Sequence, residues 1–168
     1  MRHNRWYLVA LVLLIPAAVA VALLPRWMPY QASRPHPDRV ALGETVRYSG
    51  ADIQLAALEV LDGEALNAPV GADVVVATLK VDVVEPPESA YCRILLVSTE
   101  HGLERTWESE ISSSSDFDID ESFAQLCSLS EKGAYDLQVT FLVPAGQVAE
   151  PIVEFSSSAS LPRVLRLS

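Results

Sequence analysis

The sequence predicts one all-β domain, a two-sheet sandwich, preceded by a single transmembrane helix. Three observations predict it: an uncharged apolar run near the N-terminus, a proline-dense stretch behind it, and period-two alternation of apolar residues from there onward. At 168 residues the chain has room for one ordinary core beside such a segment, and hardly for two.

The run Trp6 to Leu24 contains no charged residue. As a helix rising about 1.5 Å per residue it extends roughly 28 Å, close to the hydrocarbon thickness of a bilayer. Trp6 and Tyr7 at one end, and Trp27 and Tyr30 beyond the other, suit the two headgroup layers. Pro16 predicts a kink, which membrane helices tolerate. The same run also reads as a cleavable export signal, with Arg2 and Arg5 as its basic start and Ala18-Val19-Ala20 or Ala20-Val21-Ala22 as the cleavage site. A lipoprotein is disfavoured because the first cysteine is Cys92. Either reading exports the rest of the chain. The expected organisation is a cytoplasmic stub over residues 1–5, a signal-anchor helix over 6–24, a linker over 25–39 and an extracytoplasmic domain over 40–168.

Charge narrows the partners. From Val40 onward there are 7 Lys and Arg against 21 Asp and Glu, so the domain carries 7 − 21 = −14. A nucleic-acid backbone needs a basic face, and none is available. Cations or basic partners are preferred electrostatically, although such acidity also serves plain solubility.

Pro25, Pro29, Pro35 and Pro37 each remove a donor and disfavour helix at the preceding residue, so the linker reads as a semi-extended spacer. Alternation then begins. Val75, Ala77, Leu79, Val81 and Val83 share one face of a strand over Val74 to Val84; Tyr135, Leu137, Val139, Phe141 and Val143 share one face of another. These two are expected at the centre. Weaker strands read at Glu44–Tyr48, Asp52–Leu61, Tyr91–Thr99, Leu103–Trp107, Ile152–Phe155 and Arg163–Leu167, with a hairpin turn at His101-Gly102. In Asp52–Leu61 the apolar phase flips near Ala56-Ala57, which a β-bulge reconciles. Only Glu121 to Leu129 has apolar spacing suited to a helical turn.

Leu129-Ser-Glu-Lys-Gly133-Ala-Tyr135, leading into an alternating strand, resembles the tyrosine corner of fibronectin-type and immunoglobulin-like sandwiches. The longer layout has Gly43 to Val46 opening as G-x-x-V, a long strand ending near Val84, and F-x-V-P at Phe141 to Pro144 before two closing strands. It resembles an uncharacterised immunoglobulin-like extracellular domain family of membrane-anchored or secreted actinobacterial proteins. The resemblance covers Leu42 to Leu167 and implies an immunoglobulin-like sandwich; it transfers no catalytic residue. Glu85-Pro86-Pro87 stands where that layout has Asn or Gly.

Candidate chemistry is sparse. Cys92 and Cys127 are the only cysteines, and an even number in an exported domain predicts a disulfide, with two buried free thiols as the alternative. Asp116, Asp118 and Asp120 alternate after the run Ser112 to Ser115, as in oxygen-rich calcium loops. A helix-loop-helix calcium site fails, because its sixth position is Glu121 and its twelfth Cys127. His101 is the only histidine beyond the linker and no G-x-S-x-G accompanies it, so a hydrolytic triad is disfavoured. Glu108 or Glu110 with Asp116 is the remaining acid-base pairing.

The expectation is therefore a non-enzymatic envelope module with no cofactor and no resident metal, held in the cell membrane by residues 6–24. It presents loops or an edge strand to an envelope protein or surface ligand. A divalent-cation-binding ectodomain and an envelope hydrolase are the alternatives. Oligomeric state is not legible.

Overall fold

The computed structural model describes Val12, Leu14, Ile15 and residues 36–66, 68–88, 90–100, 102–109, 123–124 and 126–168. The chain divides into two units, Met1–Pro35 and His36–Ser168. In the first, Val12, Leu14 and Ile15 are helical and exposed; the rest of the expected span Trp6 to Leu24, and the linker up to residue 35, lie outside the described residues. Among the described residues no helix is long and apolar enough to cross a membrane.

The second unit is a β-sandwich. Its strands are β1 (His36–Val40), β2 (Thr45–Tyr48), β3 (Ala51–Leu61), β4 (Ala72–Val83), β5 (Cys92–Glu100), β6 (Leu103–Glu108), β7 (Gly133–Pro144), β8 (Ile152–Ser157) and β9 (Arg163–Leu167), with a short 3-10 turn at Gly63–Leu66. One sheet has the order β1-β9-β8-β5-β6 and the other β2-β3-β4-β7. All pairings are antiparallel except β1 on β9 and an isolated parallel bridge between Ala124 and Leu137.

Alternation explains the layers. The inner faces of β4 and β7 bury Val75, Leu79, Val83, Leu137, Phe141 and Val143 against Ile53, Leu55, Leu96, Phe155, Leu165 and Leu167. Each such side chain contributes roughly 1.5–3 kcal/mol on leaving water. The expected bulge is present: β3 pairs Leu55 with Leu79 but Ala57 with Thr78, so Ala56 is the extra residue. Ala56 thereby moves Leu58 and Val60 onto the same side as Ala77 and Val75.

Three expectations change. First, β1 begins at His36, inside the stretch assigned to the linker. Its HPDRV sequence lacks alternation, and it becomes a strand by parallel pairing with the last strand, with Pro37 tolerated because β1 is an edge. Second, β7 lies at the edge of its sheet, not the centre. Periodicity reports which face is buried and carries no information on lateral position. Third, the described residues around Ala124 form no helical turn; Ala124 instead lies along β7, donating to the Asp136 carbonyl at 2.9 Å and accepting from Gln138 N–H at 3.0 Å.

Candidate interaction surfaces

Where the chain approaches β7, three ties hold it. The Ala124 bridge is the first. Cys92, at the start of β5, forms a disulfide with Cys127 across 35 residues of sequence, joining this approach to the other sheet. The third is Tyr135: its hydroxyl donates to the Ser128 carbonyl at 2.6 Å and accepts the Ser128 N–H at 3.1 Å. Leu129, beside Ser128, is fully buried. Gly133 sits at φ +148°, in the range favouring glycine, where β7 begins. Burial raises the Tyr135 phenol above its ordinary pKa against the opposing pull of the Ser128 hydrogen bond.

A second tyrosine, unmarked by any motif, has a longer reach. Tyr48 ends β2, and Ser49 and Gly50, both at positive φ, make the two-residue turn into β3. Gly50 has no alternative: a Cβ there would lie 1.9 Å from the Glu85 carbonyl oxygen. The turn directs Tyr48 into the core, where its ring meets Phe155 edge-on at 5.9 Å. Its hydroxyl donates to the Arg163 carbonyl at 2.7 Å and accepts the Ser157 N–H at 3.1 Å. One side chain of the four-stranded sheet thus satisfies backbone groups of β8 and β9 in the other. Burial raises this phenol's pKa too, against the lowering effects of the Ser157 hydrogen bond and the Arg163 charge.

Charged straps cover the outer face of the five-stranded sheet. Arg166 on β9 reaches Glu154 on β8 at 3.0 Å and Glu104 on β6 at 2.6 Å. Burial would lower its pKa, yet the two carboxylates outweigh that and hold it raised. Beside it, a shallow cavity of about 520 Å³ is lined by Arg39, Thr99, Glu150 and Ile152 among others. On the outer face of the other sheet a groove of about 480 Å³ carries Asp52, Asp82, Asp136 and Lys80. Among the described residues no three His, Cys, Asp or Glu are placed to hold a metal ion.

At the end away from His36, loops are tied to one another. Ala145 N–H donates to the Gly71 carbonyl at 2.9 Å, and Gly146 N–H to Asp73 Oδ2 at 2.9 Å. Arg105, next to the β5–β6 hairpin, donates to Gln147. On this framework Val70 is 97% exposed in the turn that Ala72 N–H closes on Pro69, and Leu103 is 69% exposed.

Glu108 is spent on an ion pair with Arg93. His101, Ser112 to Ser115, Glu110, Asp116, Asp118 and Asp120 lie outside the described residues. Sequence reasoning missed Tyr48, Arg166 and Val70. Tyr48 alone left a trace, a tyrosine in phase with Val46 just before Ser49-Gly50. Comparison with family models, curated proteins and solved structures finds no match to this chain.

Proposed function

We propose that this chain is a membrane-anchored, extracytoplasmic binding module of the cell envelope that catalyses no reaction. Residues 6–24 hold it in the bilayer, and an immunoglobulin-like domain presents the end that carries Val70 to an envelope protein or surface ligand. The observation that carries the reading is the exposure of Val70, in a turn that hydrogen bonds fix in place, and of Leu103, the first residue of β6. Exposed apolar side chains on an ordered framework suit binding, because little conformational entropy remains to be lost on contact.

The disulfide supports an oxidising compartment, since such bonds rarely persist in a reducing cytosol. Two features favour the immunoglobulin-like assignment: β5, β8 and β9 are consecutive neighbours, and the first strand lies on the last. One departs from it, because the tyrosine corner opens β7, beside β4 in the other sheet. Membership of the actinobacterial family described above is part of the proposal and rests on its sequence motifs.

Cross-linking in intact membranes, followed by detergent solubilisation and capture of the full chain, tests the reading. A reproducible partner is expected, with recovery reduced by Val70→Ser and Leu103→Ser. Repeated recovery of the chain alone defeats the binding role. Recovery of the unprocessed chain from soluble cytosol with both thiols reduced defeats its location.

A further inference from the structure

Among the described residues four strand edges bound the sandwich, and each is blunted. β1 carries Pro37 and Arg39, β2 is four residues long, β6 carries Glu104, Arg105 and Glu108, and β7 is bridged by Ala124. A fifth edge lies inside β3. β2 pairs only with Ala51 to Gln54, and Gly43 N–H reaches the Leu55 carbonyl at 2.9 Å. Beyond that, among the described residues, no strand pairs with the free side of residues 56–61, while β4 pairs their other side as far as Leu61. The sequence there is Ala-Ala-Leu-Glu-Val-Leu, with Glu59 its one charge.

The bulge gives this edge its character. Leu58 and Val60 stand opposite Ala77 and Val75, which are fully buried. Leu58 packs on the core, whereas Val60 stays 46% exposed because nothing described extends the sheet over it. Glu59 takes the opposite face, across from Val76. Among the described residues the strand therefore offers unpaired main-chain groups, an uncovered apolar side chain toward the core and one carboxylate outward.

We propose that the outer half of β3, Ala56 to Leu61, is a docking edge for an extended segment of a partner polypeptide bearing lysine or arginine. The segment continues the line of β2 and runs antiparallel to β3; this deepens the binding-module reading and rests on it. Main-chain bonding supplies affinity, apolar residues of the segment cover Val60, and a cation meets Glu59. Charge selects this occupant. A second copy pairing antiparallel, inner face to inner face, would set its own Glu59 opposite or diagonal to the first, between two domains each carrying −14 by formal count. The edge leads directly into the loop that carries Val70.

The test uses the full chain in nanodiscs with three probes: a short peptide of alternating valine and lysine, the same peptide with glutamate for lysine, and the lysine peptide N-methylated at alternate residues. The lysine peptide is expected to slow hydrogen exchange at residues 56–61 and to bind roughly tenfold more tightly than the glutamate peptide. N-methylation should abolish binding, and Glu59→Lys should reverse the charge preference. Unchanged exchange at 56–61, equal binding of the N-methylated peptide, or an unchanged preference in Glu59→Lys each overturns the edge. A membrane partner captured equally by the wild-type chain and Glu59→Lys also overturns it, while leaving the module role intact. Peptide binding as expected with no partner ever captured upholds the edge and defeats the module role instead.

Discussion

Tyr48 and Tyr135 perform the same chemistry at very different ranges. Each phenol donates to one carbonyl and accepts one N–H. Tyr135 serves both atoms of Ser128, only 7 residues upstream, at a partly exposed corner. Tyr48, whose side chain is buried, reaches across 115 residues to the part-buried Arg163 carbonyl and 109 to the buried Ser157 N–H. A local tie shapes the approach of one strand, whereas a distant one fixes the two sheets against each other. The difference predicts unequal costs of removal, because water can replace a lost bond at a corner and cannot in the core.

The corner has a covalent companion, and removing it is the largest expected effect. Replacing both cysteines by alanine should cost about 4 kcal/mol on the chain-entropy account for a loop of this length, read by denaturant unfolding of the full chain. With Cys127 freed, the Ser128 bond becomes a larger share of what holds the approach to β7. A double-mutant cycle should therefore find coupling between the cysteine pair and Tyr135→Phe, and additivity with Tyr48→Phe. Coupling in the opposite pattern would dissolve the distinction between local and distant ties. Next in size is Tyr48→Phe. It keeps the ring against Phe155 but leaves the Arg163 carbonyl and the Ser157 N–H without that partner, at about 2–4 kcal/mol in sum. A loss no larger than that of Tyr135→Phe would show that the core tie carries no special weight.

The same contrast marks what sequence conveys. Alternation located eight of the strands, and the phase break at Ala56 located the bulge, because both are properties of consecutive residues. The Tyr135 corner was legible for the same reason: leucine, glycine and tyrosine lie within one short stretch. β1 was not, since HPDRV becomes a strand only when the far end of the chain lies beside it. Nor was the edge position of β7, because lateral neighbours leave no periodic trace. Tyr48 and Arg166 meet partners on strands distant in sequence, and Val70 stands out only once its loop is placed. Of the proposed interaction surface, the sequence conveyed acidity and a scaffold; that no described strand pairs with the outer half of β3 follows from β2 being short, which is a fact of pairing.

Tyr135→Phe should cost only about 1 kcal/mol, because the partly exposed Ser128 groups regain water. Alkali supplies the finest comparison of the two phenols. Both pKa values are raised in the folded chain, chiefly by burial. Above about pH 10, the ordinary phenol value, the unfolded chain gives up protons that the folded one retains. Their contribution is therefore complete below that pH and is lost as pH climbs through the raised folded values. Unfolding free energies measured from neutral pH to above about 10 should fall in the wild-type chain, and each Tyr→Phe variant should flatten part of that fall. At Tyr48, only 1% exposed, the phenolate would lose the bond it donates to Arg163, so Tyr48→Phe should flatten more than Tyr135→Phe. Equal flattening would mean that water reaches both phenols alike, and the distinction between a core tie and a corner tie would fail at its most sensitive point.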